Sequence, residues 1–339
     1  MNLNRAQRQQ PLVSLFNGYI GAMVIFALEE MGFFRLIQEK GYFDLSDASV
    51  LGIQQKFFLP LCNTLQALNI VQRNDQGHYQ LTMAAETITQ QLGFFTWAVG
   101  GYGDVLRNLY PLASGQQSFG DEIFRDERYV AKGAGQCTRN FVLPIICEML
   151  DPISINIIAD LGCGSGELLI YLCRRYPHIR GVGVDRSAKA CELARQNITN
   201  ARLTNRIEIV EADVCNLSYN LDSRELDLLT RSDTITCLFM LHDLIQEELQ
   251  AREMLLKMKY FFREATHFLF GDTMQTDSPP SLQQSSFIVG FELVHAFMEH
   301  HIWKKQVYDD LFAAADFDIQ RCVELAIPSS WLYLLSTNS

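Results

Sequence analysis

The chain has 339 residues, a formal net charge of −11, 48% hydrophobic and 20% charged residues. That length suits one large domain beside a smaller one, each with a buried core, and the acidic balance disfavours general binding to nucleic acid. Nine cysteines, odd in number and without a C-x-x-C pair, read as free thiols of a reducing compartment and exclude a disulfide framework or zinc ribbon.

The opening MNLNRAQRQQPLVSLF lacks the uninterrupted apolar core and small-residue cleavage site of a signal peptide. The most apolar stretch, YIGAMVIFALEEMGFF, is broken by Glu29 and Glu30 and is expected to fall short of a membrane span. A cytoplasmic protein with no membrane partner is expected. Apolar residues from Leu12 to Leu36 recur at helical spacing, and QQKFFLPLCNTLQAL predicts a further helix. NIVQRNDQGHYQLT then alternates around Asp75, Gln76 and Gly77, a β-hairpin pattern. Helices followed by a small hairpin suggest a winged-helix-like domain over residues 1–115. A DNA-reading version needs basic side chains on the second helix and wing, where this chain offers Lys56 and Arg73. A packing or dimerisation module is therefore favoured over a DNA-binding regulator that senses a cofactor. The apolar stripe Phe16, Ile20, Val24 and Leu28 calls for a partner, and a homodimer through these helices is the expectation.

A connecting stretch from about Gly93 to Asp151 carries glycine-rich turns and more helix. From Ile155 onward the apolar runs INIIADLGCG, GVGVD, RIEIVEADV, TITCLFML and HFLFGDTM alternate with helical segments. This predicts an α/β domain over residues 116–339, with helices on both faces of a parallel sheet. RCVELAIP and SWLYLLS stand too close together around Pro328 for a crossover helix, so they should form an antiparallel hairpin at the sheet edge.

IIADLGCGSGELL is a strand, a glycine turn and a helix start, a place where backbone can approach a ligand. A dinucleotide fingerprint would have glycine at the sixth position, which is Glu167; the pattern here is Gly162-x-Gly164-x-Gly166. A nicotinamide cofactor fits poorly. Asp185 ends the next strand, placed for a ribose diol, and Asp213 in EADV ends the third, where it could meet an adenine amine. The set DLGCGSG, GVDRS and EADV resembles the class I S-adenosylmethionine-dependent methyltransferases, a Rossmann-like fold. The resemblance covers Ile155 to the C-terminus. It implies that Asp160 and the glycines Gly162, Gly164 and Gly166 line the methionine moiety, Asp185 binds the ribose and Asp213 the adenine.

The fourth strand, TITCLFML, delivers His242 and Asp243 to the carboxyl edge of the sheet, where such folds bind the acceptor. The helical module plus LHD is similar to small-molecule O-methyltransferases, in which the His of an H-D-W motif deprotonates a phenol; Leu244 stands where the tryptophan would be. On that reading His242 is a general base. LQQSSFIVGFELVHAFMEHHIW predicts one long helix with Phe287, Phe291, Val294 and Met298 on an apolar stripe. Next to it lies His295, on its own readable as a core histidine, and the doublet His300-His301 reads as a polar helix end. His242, Asp243 and His295 together offer two imidazoles and a carboxylate, a set suited to iron or another transition metal with open positions. In this the chain resembles the metal-dependent 2-oxo acid C-methyltransferases of secondary metabolism. These methylate the carbon next to the keto group of phenylpyruvate, 2-ketoarginine and related acids. A cation chelated by the keto oxygen and carboxylate would stabilise the enolate, and Arg125 or Arg128 is the candidate grip on the substrate carboxylate. Glu292, one turn before His295, leans toward a guanidinium acceptor, whereas the aromatic content leans toward phenylpyruvate or indolepyruvate.

Overall fold

The computed structural model describes residues 5–217, 221–246, 248–276 and 287–337. It divides into two compact units, Met1–Gly100 and Gly101–Ser339.

In the first unit the helices Arg5–Met31 and Phe33–Lys40 are separated by Gly32, whose φ of 78° is a left-handed conformation suited to glycine. Helix Gln55–Ala67 precedes an antiparallel pair, β1 (Val71–Arg73) and β2 (Tyr79–Leu81). The expected turn closes where the Gly77 N–H donates to the Asn74 carbonyl at 2.9 Å. Leu28, Phe33, Phe34, Phe43, Cys62 and Leu65 form the heart of this unit's core. The apolar stripe of the first helix therefore splits: Leu28 is buried in its own chain, while Phe16 remains 66% exposed. The expectation that no segment reaches membrane length is corrected. The apolar run starts earlier than Tyr19, and Leu12–Met31 is long and apolar enough to cross a membrane by length and composition, as core helices and signal sequences also are.

In the second unit five strands lie parallel: β3 (Ile157–Leu161), β4 (Arg180–Asp185), β5 (Ile207–Glu211), β6 (Thr234–Leu238) and β7 (His267–Thr273). The terminal hairpin, β8 (Phe317–Glu324) and β9 (Ser330–Thr337), completes a sheet of order β5-β4-β3-β6-β7-β9-β8. β9 runs antiparallel to β7, which leaves β8 at the edge. Ala159, Leu161, Val182, Val184, Ile235, Cys237, Phe268 and Phe270 are fully buried. Burial on both faces is why these strands read as continuous apolar runs and not as alternation. Their carboxyl ends (Leu161, Asp185, Leu238 and Thr273) line one edge of the sheet, where the polar residues of interest begin.

Candidate active site

The glycine loop leaves β3 through three left-handed residues: Gly162, Gly164 and Gly166 have φ of 73°, 52° and 73°. Side chains rarely adopt these angles. A Cβ on Gly162 would also collide with Met240 Sδ, so the loop lies directly against the segment that carries His242. Asp185 accepts from Gly164 N–H at 3.0 Å and from Ser187 N–H at 2.9 Å, tying the end of β4 to the loop. Burial raises the pKa of Asp185 despite these two donors. Asp160 is buried beneath the loop and accepts from the Thr236 hydroxyl at 2.7 Å. Burial, reinforced by Asp185 and only partly offset by that hydroxyl, lifts its pKa to about 7. Asp213 caps the short turn Val214–Asn216 and is exposed.

β6 ends at Leu238, and Phe239 follows with φ of 54°. For an aromatic L-residue this costs on the order of 1–2 kcal/mol. It is held by the Phe239 N–H donating to the Gly271 carbonyl at 2.7 Å. The reversal drops the chain into the single turn Leu241–Leu244, with His242 buried and Asp243 half-buried. Asp272, at the end of neighbouring β7, accepts from the backbone N–H of His242 at 2.7 Å and pairs with its Nδ1 at 2.7 Å. The buried Tyr308 hydroxyl donates to the same carboxylate at 3.2 Å.

Helix Ile288–Phe297 presents His295, whose Nδ1 lies 2.7 Å from the Phe291 carbonyl. A carbonyl only accepts, so Nδ1 carries the proton and Nε2 the lone pair. The His242 and His295 rings meet edge to face at 4.8 Å. The long helix expected across LQQSSFIVGFELVHAFMEHHIW is shorter. Residues 282–286 of that stretch lie outside the described residues, and the helix stops at Phe297. Glu299 takes a left-handed φ of 59°, and the His300 N–H returns to the His295 carbonyl at 2.8 Å. His300 is therefore no mere polar helix end, because its Nδ1 is 2.8 Å from Asp243 Oδ1.

The second Asp243 oxygen accepts from Arg125 at 3.2 Å, and Arg125 also reaches the buried Tyr102 hydroxyl at 3.2 Å. Arg128 stands exposed on the first turn of helix Glu127–Cys137. Of the two candidate arginines, the fold thus brings Arg125 to the site. Glu292 is engaged elsewhere, accepting from the backbone and hydroxyl of Thr276 at 2.9 Å each.

These contacts set the charges. Burial disfavours a charged His242, but Asp272 and Asp243 outweigh it and raise its pKa. Burial likewise opposes a charged Asp243, yet His242, His300 and Arg125 hold it well below the usual carboxylate range. Burial first, and then the neighbouring His242, pushes His295 down to about 3, so it stays neutral. The set fits a metal ion in kind. Each imidazole has Nδ1 engaged by an oxygen of its surroundings and Nε2 left to coordinate, the arrangement that orients metal-binding histidines. The ligand atoms of His242, Asp243 and His295 lie within 4.8 Å of one another. Neighbouring ligands at bonds near 2.1 Å stand about 3 Å apart, so coordination requires the side chains to close by about 1–2 Å.

Sequence reasoning missed Asp272, Tyr308, Tyr102 and the role of His300. A carboxylate at the end of the strand following TITCLFML was the available signal for Asp272. The others come from distant segments and leave no local pattern.

Residues 158–259 match the family model described as a methyltransferase domain. An indolepyruvate C-methyltransferase of Streptomyces griseus is 27% identical to the chain over 96% of it and 95% of its own length. Methyltransferase ungE' of Aspergillus campestris is 23% identical over 93% and 92%. Among solved structures, human N-acetylserotonin methyltransferase in complex with SAM shares the fold with a TM-score of 0.65, at 15% identity and over the full length of both chains. PigF with SAH does so with a TM-score of 0.65 at 19% identity, over 99% of this chain and 100% of its own.

Proposed function

Starting from a class I S-adenosylmethionine-dependent methyltransferase, we propose that this enzyme methylates the carbon next to the keto group of an aromatic 2-oxo acid. The observation that carries this reading is the convergence of His242, Asp243 and His295 beside the glycine loop, with Arg125 behind Asp243. An O-methyltransferase needs one base; a second, neutral and buried imidazole beside a carboxylate suits a metal. A transition metal such as iron, held by these three residues, would act as Lewis acid toward the oxygens of a 2-oxo acid, whose neighbouring C–H is otherwise too weakly acidic.

The chain's own residues supply the rest. Asp272 fixes His242 through two hydrogen bonds, so that its Nε2 faces His295 and Asp243. Arg125, half-buried and held by Asp243 and Tyr102, presents a cation for the acceptor carboxylate, and Arg128 is set aside as the grip. Asp160, Gly162, Gly164, Gly166, Asp185 and Asp213 form the methyl-donor side of the pocket. No covalent enzyme intermediate is required, because the enolate carbon attacks the sulfonium methyl directly, the carbon–carbon bond forming as the sulfur–methyl bond breaks and S-adenosylhomocysteine leaves.

An aromatic acceptor is favoured over 2-ketoarginine. Phe291 packs against both imidazoles, with centroids 5.6 and 4.1 Å away, and Phe287 lies 5.3 Å from Phe291. Phe119 adds a ring beside His300 at 6.4 Å. Glu292, the acid that would have met a guanidinium, has one carboxylate oxygen committed to Thr276. The Streptomyces relative, named for indolepyruvate, supports the same class.

The second reading is an O-methyltransferase with His242 as general base. It is favoured by the His242–Asp272 pair, which leaves Nε2 free to take a proton. Side-by-side turnover of indolepyruvate, phenylpyruvate, 2-ketoarginine and a panel of phenols separates the readings. Faster consumption of the aromatic 2-oxo acids supports the first, and exclusive consumption of phenols sinks it.

The proposal includes a helical, winged-helix-like dimerisation domain over residues 1–115 and the methyltransferase domain over 116–339. It also includes a homodimer formed through the exposed residues around Phe16 and Ile20, and a cytoplasmic role in amino-acid-derived secondary metabolism. Neither the acidic charge nor the basic-poor second helix supports nucleic-acid binding.

A further inference from the structure

Three ligand candidates arrive on two separate elements: the turn Leu241–Leu244 carries His242 and Asp243, and helix Ile288–Phe297 carries His295. Something must set the gap between those elements, because an ion tolerates errors of only tenths of an ångström in its bonds. His300 touches both. Its backbone N–H donates to the His295 carbonyl at 2.8 Å, and its Nδ1 meets Asp243 Oδ1 at 2.8 Å. Asp243 Oδ1 is also the oxygen nearer His242, at 3.6 Å from Nε2. We infer that His300 is a positioning residue, a side-chain strut that fixes the Asp243 carboxylate relative to His295 and so shapes the metal site.

The geometry excludes two other roles. The side chains whose ligand atoms converge are His242, Asp243 and His295, and His300 stands outside that set with its Nδ1 on the carboxylate. Nor is His300 a general surface contact. Its side chain is only 23% exposed, and the Phe119 ring stands edge to face against it at 82°. The carboxylate is held from both ends, Arg125 on Oδ2 and His300 on Oδ1. An oxygen with two lone pairs gives one to His300 and keeps one for coordination. Without His300 the carboxylate is free to rotate toward Arg125, which can bind both its oxygens, and the oxygen facing His242 turns away. Glu299 explains how the strut is placed. Its left-handed φ of 59° ends the helix and swings His300 inward, although it is not glycine.

The surrounding backbone is stapled independently, which makes the side chain testable. The His301 N–H donates to Gln246 Oε1 at 2.9 Å, and the Trp303 indole donates to the Ile245 carbonyl at 2.6 Å. Neither bond needs the His300 imidazole.

The inference rests on the metal reading proposed above, and the test separates the two. Metal-free wild type, His300→Ala and His300→Gln are titrated with cobalt(II), followed by its visible absorption, and with S-adenosylhomocysteine by calorimetry. Glutamine retains an N–H donor. Loss of a residue that orients a ligand weakens metal affinity by about 10–100-fold. We therefore expect His300→Ala to bind cobalt(II) at least about tenfold more weakly, His300→Gln to stay within about threefold of wild type, and all three to bind S-adenosylhomocysteine alike. Equal cobalt affinity in wild type and His300→Ala overturns the strut and leaves the metal site standing. A wild type that binds no cobalt(II) overturns both.

Discussion

Asp272 engages two hydrogen-bonding groups of His242 at once, the backbone N–H and Nδ1, each at 2.7 Å. One carboxylate thereby fixes both the peptide and the ring, and its charge helps keep the His242 pKa above the usual histidine range. Replacing it by asparagine keeps the shape but removes the charge. Asp272→Asn should lower the His242 pKa, read by proton NMR of the ring, and reduce turnover by about 10–100-fold. An unchanged titration would mean that the pair does not govern His242.

His295 offers the cleanest test of the proposed metal site, since a general-base mechanism gives it no essential role. His295→Ala should lose most bound metal, measured by elemental analysis of protein reloaded with iron, together with turnover of an aromatic 2-oxo acid. Normal turnover by His295→Ala would leave His242 as a base.

The same residue predicts how metal-free protein responds to acid. Its folded pKa is lowered to about 3, chiefly by burial. Unfolded, it titrates near 6.5. As pH falls through that window the unfolded chain takes a proton that the native site refuses, so stability declines, by at most about 1.4 kcal/mol per pH unit. His242 acts in the opposite sense. Its raised folded pKa contributes stability that is present below about 6.5 and lost as pH rises through the folded value. Denaturant titrations between pH 7 and 4 should show a shallower decline for His295→Phe than for wild type. Parallel curves would contradict the burial argument.

On the proposed reading the donor side depends on Asp185, which orders the loop through Gly164 and Ser187. Asp185→Ala should weaken S-adenosylhomocysteine binding by about 1.5–3 kcal/mol, the loss of hydrogen bonds to a charged group. Calorimetric titration measures it, and unchanged affinity would place the ribose elsewhere.

For the first helix the expected assembly is a dimer. Phe16 and Ile20 are exposed at 66% and 36%, whereas Leu28 is already spent on its own chain's core. Light scattering of the full chain should report a dimer for wild type and a monomer for the pair Phe16→Glu and Ile20→Glu. A double variant that remains dimeric rejects this face.

The sheet was legible because a strand buried on both faces has few alternatives to an unbroken apolar run, and because the left-handed turns of the loop after β3 favour glycines such as Gly162 and Gly166. His242, Asp243 and His295 were legible as residue types whose positions follow from that topology. What stayed hidden depends on single backbone choices. Glu299 enters the left-handed region without a glycine to announce it, so the helix end and His300 could not be read locally. Asp272 and Tyr308 act on His242 from 30 and 66 residues away, through packing that leaves no spacing pattern. The bond from Thr276 to Glu292 was hidden for the same reason, its partners standing 16 residues apart.

The most direct measurement is the position of the transferred methyl group. Purified enzyme is given S-adenosylmethionine labelled with carbon-13 at the methyl and indolepyruvate or phenylpyruvate, before and after removal of metal by chelation, and the product is read by carbon NMR. The account predicts a labelled methyl on the carbon adjacent to the keto group, formed by the metal-loaded enzyme, abolished by chelation and restored by added iron. A label found only on oxygen, or carbon methylation that persists undiminished after complete metal removal, would contradict it.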